Sequence, residues 1–219
     1  MAVTDVDLEG ARALAGNIEG RAYELDVRSR GSVDGALASI EDELGPVDVL
    51  VNNAGVDEFG FFLATEEPSW RRMIEVNLLG VVTMTHAVLP GMHERRRGRI
   101  VNVASEAGRL GSPISAVYSA TKAGVIGFTK AIARQAAFFE VTCNAVAPGP
   151  IETPLLDSTH DQLGDDTARV VLERMVEATA MRRMGHPDEV AAVIAFLSSD
   201  DSSYITGETI GVSGGIPSP

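Results

Sequence analysis

The sequence predicts an α/β fold, a doubly wound parallel sheet with helices on both faces. Six short apolar segments read as strands, and nearly every gap between them holds a stretch with helical periodicity. Strands fed by helical crossovers pair in parallel, which puts helices on both faces of the sheet. Length supports the same class: 219 residues, 45% of them hydrophobic, suit one globular domain spanning residues 1–219 with a sizeable core.

In chain order the strand segments are "AVTD", "RAYEL", "VDVLVNN", "GRIVNVAS", "VTCNAVAP" and "ETIGVS". The helical stretches run over 8–17, 32–44, 68–94, 116–137, 167–177 and 187–197. No linker, repeat or low-complexity tract divides them. The opening "MAVTDVDLEGARALAG" reads as the second half of a β-α-β unit, so the first β-α element is expected to be missing.

A net charge of −13 makes nucleic acid and anionic membrane poor partners, and the basic run "ERRRGR" is too short to reverse that. No apolar run is read as approaching the roughly 20 residues that a bilayer needs. The N-terminus lacks a signal-peptide pattern, so a cytoplasmic protein is expected. Cys143, the one cysteine, excludes an intramolecular disulfide and reads as a small core residue rather than a nucleophile. The histidines His86, His93, His160 and His186 show no ligand spacing, so no metal is expected, and Trp70 reads as a packing residue.

Ligands of doubly wound sheets bind beyond the carboxyl ends of the strands, so the residues after each strand are the informative ones. Asp5 follows the first strand, where a carboxylate either accepts hydrogen bonds from a ribose or caps the next helix. Asp26 follows the second and is equally open. "NNAG" (52–55) follows the third; its glycine permits close backbone approach and its asparagines can pin neighbouring strands, or it is only a tight turn. The fourth leads into "ASEAGRLGSPISAVYSATKAG". There Tyr118 and Lys122 are four apart, on one helical face. An ammonium beside a phenol favours the phenolate, lowering the tyrosine pKa toward what acid-base chemistry at neutral pH requires. Ser105 ends the preceding strand, placed to hydrogen-bond a substrate oxygen. Taken alone, such a pair is also common on solvated helices.

"NNAG", "VNLLG" with Asn77, "GRIVNVAS" ending in Ser105, "YSATK" and "NAVAPGPIETP" resemble, in order and spacing, the motifs of the short-chain dehydrogenase/reductase family. The resemblance runs from Ala2 to Gly215. It implies a Rossmann-like fold and hydride exchange between a nicotinamide cofactor and a secondary alcohol or ketone. It also implies that Tyr118 moves the hydroxyl proton, Ser105 polarises the substrate oxygen, Lys122 holds the nicotinamide ribose, and Asn77 supports a proton relay to Lys122. Cofactor contacts implied are Asn53, Ala54 and Gly55 on the ribose and phosphate side, Asp26 and Val27 at adenine, and Pro148, Gly149, Ile151 and Thr153 toward the carboxamide. Asp5 favours NAD, since its charge would repel the extra phosphate of NADP. A homotetramer is implied as well.

The glycine-rich "TGxxxGxG" turn with which members of that family begin is not found in the sequence. The expected arrangement is therefore the sheet order 3-2-1-4-5-6 without its central strand, with Met1 an internal methionine or mistaken start of a longer protein. The alternative is a true short form, a catalytically inactive subunit or assembly partner. Several segments look most like members acting on hydroxyacyl-CoA esters, of the 2-hydroxycyclohexanecarboxyl-CoA dehydrogenase or 3-oxoacyl carrier-protein reductase type. Residues 155–185 are expected to form the substrate cover, and Arg109, Arg182 and Arg183 either meet a CoA phosphate or are ordinary surface arginines.

Overall fold

The computed structural model describes residues 1–216. Its strands are β1 (Ala2–Asp5), β2 (Arg21–Glu24), β3 (Val49–Asn52), β4 (Gly98–Val103), β5 (Val141–Pro148) and β6 (Thr209–Val212), all paired in parallel. The main helices are α1 (Leu8–Asn17), α2 (Arg30–Leu44), α3 (Glu67–Ile74), α4 (Gly80–Arg95), α5 (Ala107–Leu110), α6 (Ala116–Ala136), α7 (Pro154–Asp157), α8 (Thr159–Leu163), α9 (Asp165–Ala178) and α10 (Pro187–Ser198). The expected helices at 8–17, 116–137 and 187–197 thus fall within a residue of the observed ones. Residues α5, α7 and α8 span only four or five positions, too few for a 3.6-residue period to register.

β5 explains the layering. Seven of its eight residues are buried, because it lies inside the sheet and is covered on both faces. On one face Ile100 and Cys143 pack against Val88 and Met92 of α4 and Ala133 and Ala136 of α6. On the other, Val101 and Val146 pack against Val190 and Leu197 of α10. Helices therefore flank both faces, as the doubly wound class requires.

The sheet is interrupted between β1 and β3, where the expected order lacks its central strand. β3-β4-β5-β6 make one sheet and β1-β2 a second, and no hydrogen bond joins β1 to β3 among the described residues. Side chains hold the smaller sheet instead: Leu25, Val33 and Ala36 pack with Val27, Met84 and Ala87, closing α2 onto α4. β3 alternates, with Leu50 and Asn52 buried while Val49 and Val51 stay 40% and 39% exposed on the uncovered face.

The helix expected over 68–94 is one helical run with a change of winding. α3 passes into a π-helical turn at Glu75–Leu79 before α4 begins, and Pro90, which lacks a donor, sits inside α4. Contrary to the sequence reading, the stretch Glu67–Arg95 is long and apolar enough to cross a membrane by length and composition. Here that apolarity is spent on the α/β layer, where Val81, Thr85, Val88 and Met92 are buried.

Candidate active site

The carboxyl ends of β3, β4 and β5 set the site. Asn52, buried at the end of β3, donates its amide to Asn102 Oδ1 at 2.8 Å, and Asn102 donates onward to Thr129 Oγ1 of α6 at 2.9 Å. This chain ties β3, β4 and α6 into one frame, the pinning role open to the asparagines of "NNAG". Asn53, Ala54 and Gly55 then emerge exposed to solvent.

α6 brings Tyr118 and Lys122 to that frame. Lys122 is buried and its Nζ donates to the Val103 carbonyl at the end of β4, at 2.7 Å, while lying 5.5 Å from the centre of the Tyr118 ring. Gly55 closes over it: a Cβ there would stand 3.5 Å from both Lys122 Nζ and Asn77 Oδ1. Ser105 sits half-buried one residue past Ala104, its hydroxyl hydrogen-bonded to the Ala107 N–H at 3.1 Å and facing the Tyr118 phenol. Tyr118 and Lys122, which the four-residue spacing puts on one helical face, are thus brought together with Ser105.

One expectation about them changes. The Tyr118 phenol is pushed up to about 12 by burial, then by the charge of Asp57, with the Ser105 hydroxyl pulling the other way. Lys122 does not lower it, because its ammonium is committed to a backbone carbonyl rather than to the phenol oxygen. Burial in turn pulls Lys122 down to about 8, opposed by Asp57. Asn77, fully buried in the π turn, is committed to the loop after β3: its Oδ1 accepts from the Val56 N–H and its Nδ2 donates to the Val56 carbonyl, both at 2.8 Å.

Asp57 is the residue the sequence reading missed. Its Oδ2 accepts from Ser115 Oγ at 2.8 Å and its Oδ1 from the Glu58 N–H at 2.8 Å. Burial raises its carboxyl to about 6, against the pull of Ser115, the Glu58 N–H and Lys122. No spacing rule links residues so far apart in the chain.

The remaining candidates line the same end of the sheets. Asp5 is exposed and accepts from the Asp7 N–H at 2.9 Å; the cap of α1 is Asp7, which accepts from Gly10, so the capping reading of Asp5 falls away. Asp26 is held by Arg28 in an ion pair at 2.6 Å, which keeps its carboxyl below the usual range. Val27 packs on Gly80, where a Cβ would meet it at 2.7 Å. Pro148 ends β5, and Gly149 donates to the Val212 carbonyl at 3.0 Å and is pressed against Ser213. Ile151 forms a parallel bridge with Gly185, and Thr153 Oγ1 turns back to the Ile151 carbonyl. Arg109 is paired with Glu106 and Arg183 with Glu189, so neither is a free cation for a phosphate. Trp70 stacks on Phe62 at 5.3 Å between ring centres.

The scaffold is a parallel α/β fold with Ser105 just past β4 and Tyr118 and Lys122 on the neighbouring helix α6. The chain belongs to the short-chain dehydrogenase/reductase family: a family model described as enoyl-(acyl carrier protein) reductase matches residues 1–217. It is 42% identical over 197 residues to the 3-oxoacyl-(acyl-carrier-protein) reductase FabG of Vibrio cholerae, covering 90% of this chain and 78% of that one. To the acetoacetyl-CoA reductase of Shinella zoogloeoides it is 41% identical over 193 residues, covering 88% and 77%. A crystal structure titled ribose-5-phosphate isomerase from Brucella melitensis superposes with a TM-score of 0.91 at 32% identity, covering 98% of this chain and 81% of that one. A shared backbone with a protein so titled underlines that the fold does not name the reaction; the site residues must.

Proposed function

We propose that the protein reduces the ketone of a β-keto thioester to a secondary alcohol, reversibly, with NAD as its nicotinamide cofactor. The observation that carries this reading is the convergence of Tyr118, Ser105 and buried Lys122 at the end of β4, in a chain whose relatives are named as 3-oxoacyl and acetoacetyl thioester reductases.

The residues fit such a cofactor in kind. Asp5 keeps a carboxylate oxygen free at an exposed strand end, suited to two ribose hydroxyls. Lys122 uses one of its three donors on Val103 and retains others for a second ribose. Gly55 lies against Lys122 with no side chain of its own, leaving backbone where a cofactor must approach closely. Asn53, Ala54, Val27, Asp26, Pro148, Gly149, Ile151 and Thr153 would line its adenine and nicotinamide sides, and none of them replaces the glycine-rich turn for the pyrophosphate. When bound, the cofactor supplies the hydride.

The chain's own groups do the rest. Ser105 donates to the substrate carbonyl oxygen and orients it toward Tyr118. Tyr118 gives its phenolic proton to that oxygen as the alcohol forms, and takes it back in the reverse direction. Lys122, anchored on the Val103 carbonyl, would turn its remaining donors to the nicotinamide ribose. Asn77 fixes the loop over Lys122 by gripping Val56. The implied homotetramer and cytoplasmic location belong to the same reading.

Acetoacetyl-CoA reduction followed by loss of reduced-nicotinamide absorbance, run separately with NADH and NADPH, tests it. Faster reduction with NADH, narrowed by Asp5→Ala, supports the assignment. A preference for NADPH rejects Asp5 and NAD; no reduction with either promotes the inactive-subunit reading.

A further inference from the structure

We propose that Glu106 is a positioning residue for Ser105: its side chain crosses β5 to lodge against Gly211 of β6, and this anchor keeps the Ser105 hydroxyl aimed where a substrate carbonyl must meet it. The proposal rests on the reading of Ser105 as the group that polarises the substrate oxygen, and adds the residue that holds it.

Ser105 leads into a segment that cannot hold itself. α5 is a single turn of four residues, too short to persist on its own hydrogen bonds. The backbone fixes where it starts, since the Ala104 N–H donates to the Val146 carbonyl at 2.8 Å and the Glu106 N–H to the Pro148 carbonyl at 2.9 Å. Those bonds carry the pairing with β5 past both neighbours of Ser105. How α5 then turns away from the sheet is left to contacts on its two sides. Toward α6 the contact is Gly108, set against the Lys122 backbone. Toward β6 it is Glu106.

Glu106 is 4% exposed, and its Oε1 accepts from Arg109 Nη1 at 3.0 Å, three residues further along α5. A Cβ on Gly211 would stand 2.7 Å from that oxygen and 3.1 Å from Arg109 Nη1, so a side chain at 211 would displace the pair. The other oxygen, Oε2, is buried without a hydrogen-bond partner among the described residues. A carboxylate so incompletely satisfied is costly to bury, and an apolar side chain of similar volume would pack there at less cost. What the carboxylate contributes is direction. It ties Arg109 and the residue next to Ser105 to one point on β6, and with the turn held in this way Ser105 Oγ stays hydrogen-bonded to the Ala107 N–H at 3.1 Å.

The Ala107 N–H reports the Ser105 hydroxyl with no substrate bound. In Glu106→Ala its exchange with solvent, followed by NMR, should quicken about tenfold, toward the rate in Ser105→Ala, while the Ala104 N–H keeps its wild-type rate. Gly211→Ala, which retains both charges and crowds them from β6, should act in the same direction, and it carries the test if Glu106→Ala does not fold. Glu106→Gln keeps the length and an acceptor for Arg109, so its Ala107 rate should stay within about threefold of wild type. With acetoacetyl-CoA, Glu106→Ala should lower kcat about tenfold when Ser105 is present and less than about twofold in a Ser105→Ala background. An unchanged Ala107 rate in Glu106→Ala and Gly211→Ala, an equal quickening at Ala104, or losses that simply add in the double variant overturn the proposal. An inactive wild type defeats the reductase reading alone, since amide exchange still decides whether Glu106 holds Ser105.

Discussion

Gly108 lies so close to Lys122 that a Cβ on it would stand 2.6 Å from the Lys122 carbonyl carbon and 2.8 Å from the Ala123 nitrogen. Both are backbone atoms of α6, which cannot yield as a flexible side chain would. This contact sets the distance between the segment bearing Ser105 and the helix bearing Tyr118 and Lys122. Gly108→Ala should therefore push α5 from α6, costing about 1–3 kcal/mol and most of the turnover. Gly35→Ala is the contrast: nothing lies within 4 Å of its Cβ position in α2, so that variant should gain about 0.5–1 kcal/mol. Urea midpoints for the two variants check this; equal shifts would show that the close approach does not matter.

The Tyr118 and Lys122 pair was legible because a four-residue spacing on a helix is a local property, and Ser105 because it ends a strand. Asp57 was not. Its meaning comes from Ser115, 58 residues away, and only the fold supplies that neighbour. Sequence reasoning also assumed that a lysine near a phenol lowers its pKa. Burial of Tyr118 and the commitment of Lys122 to Val103 reverse the direction. The same reasoning treated 68–94 as one helix, since a π turn at Asn77 keeps the apolar character of the run. The break between β1 and β3 was legible, because no segment of the sequence reads as the strand that would join them.

Tyr118→Phe keeps the ring and removes the proton-bearing oxygen. Turnover of a ketone substrate should fall by at least about a hundredfold with cofactor affinity little changed. Lys122→Ala should lose both, because it removes a cation that faces the phenol and leaves the Val103 carbonyl without its partner. Steady-state kinetics combined with fluorescence titration of the cofactor separates the two variants. Near-normal turnover in Tyr118→Phe would exclude it as the proton carrier.

Cys143 is fully buried in β5, and burial pushes its thiol up to about 12, with Asn102 pulling it down. The thiolate is the reactive form, so the folded protein should resist a thiol reagent such as a disulfide dye at pH 8. Labelling should become complete only in denaturant, following the unfolding curve. Rapid labelling of the native protein would mean that β5 opens locally, and that the core between α4 and α6 is looser than its packing implies.

The charge on Asp57 should make stability depend on pH. The unfolded chain gives up this proton near the usual 3.8, whereas the folded protein keeps it until about 6. Between those values the folded state binds more protons, so stability falls as pH rises. The contribution is fully present below the unfolded value and lost above the folded one. Asp57→Asn resembles the protonated carboxyl at every pH and keeps an acceptor for Ser115. The variant should match the wild type at the acid end of this window and become the more stable of the two at its neutral end. Comparing urea midpoints of the pair at each pH cancels every other titrating group. A constant difference across the window would show that Asp57 ionises as it does in the unfolded chain.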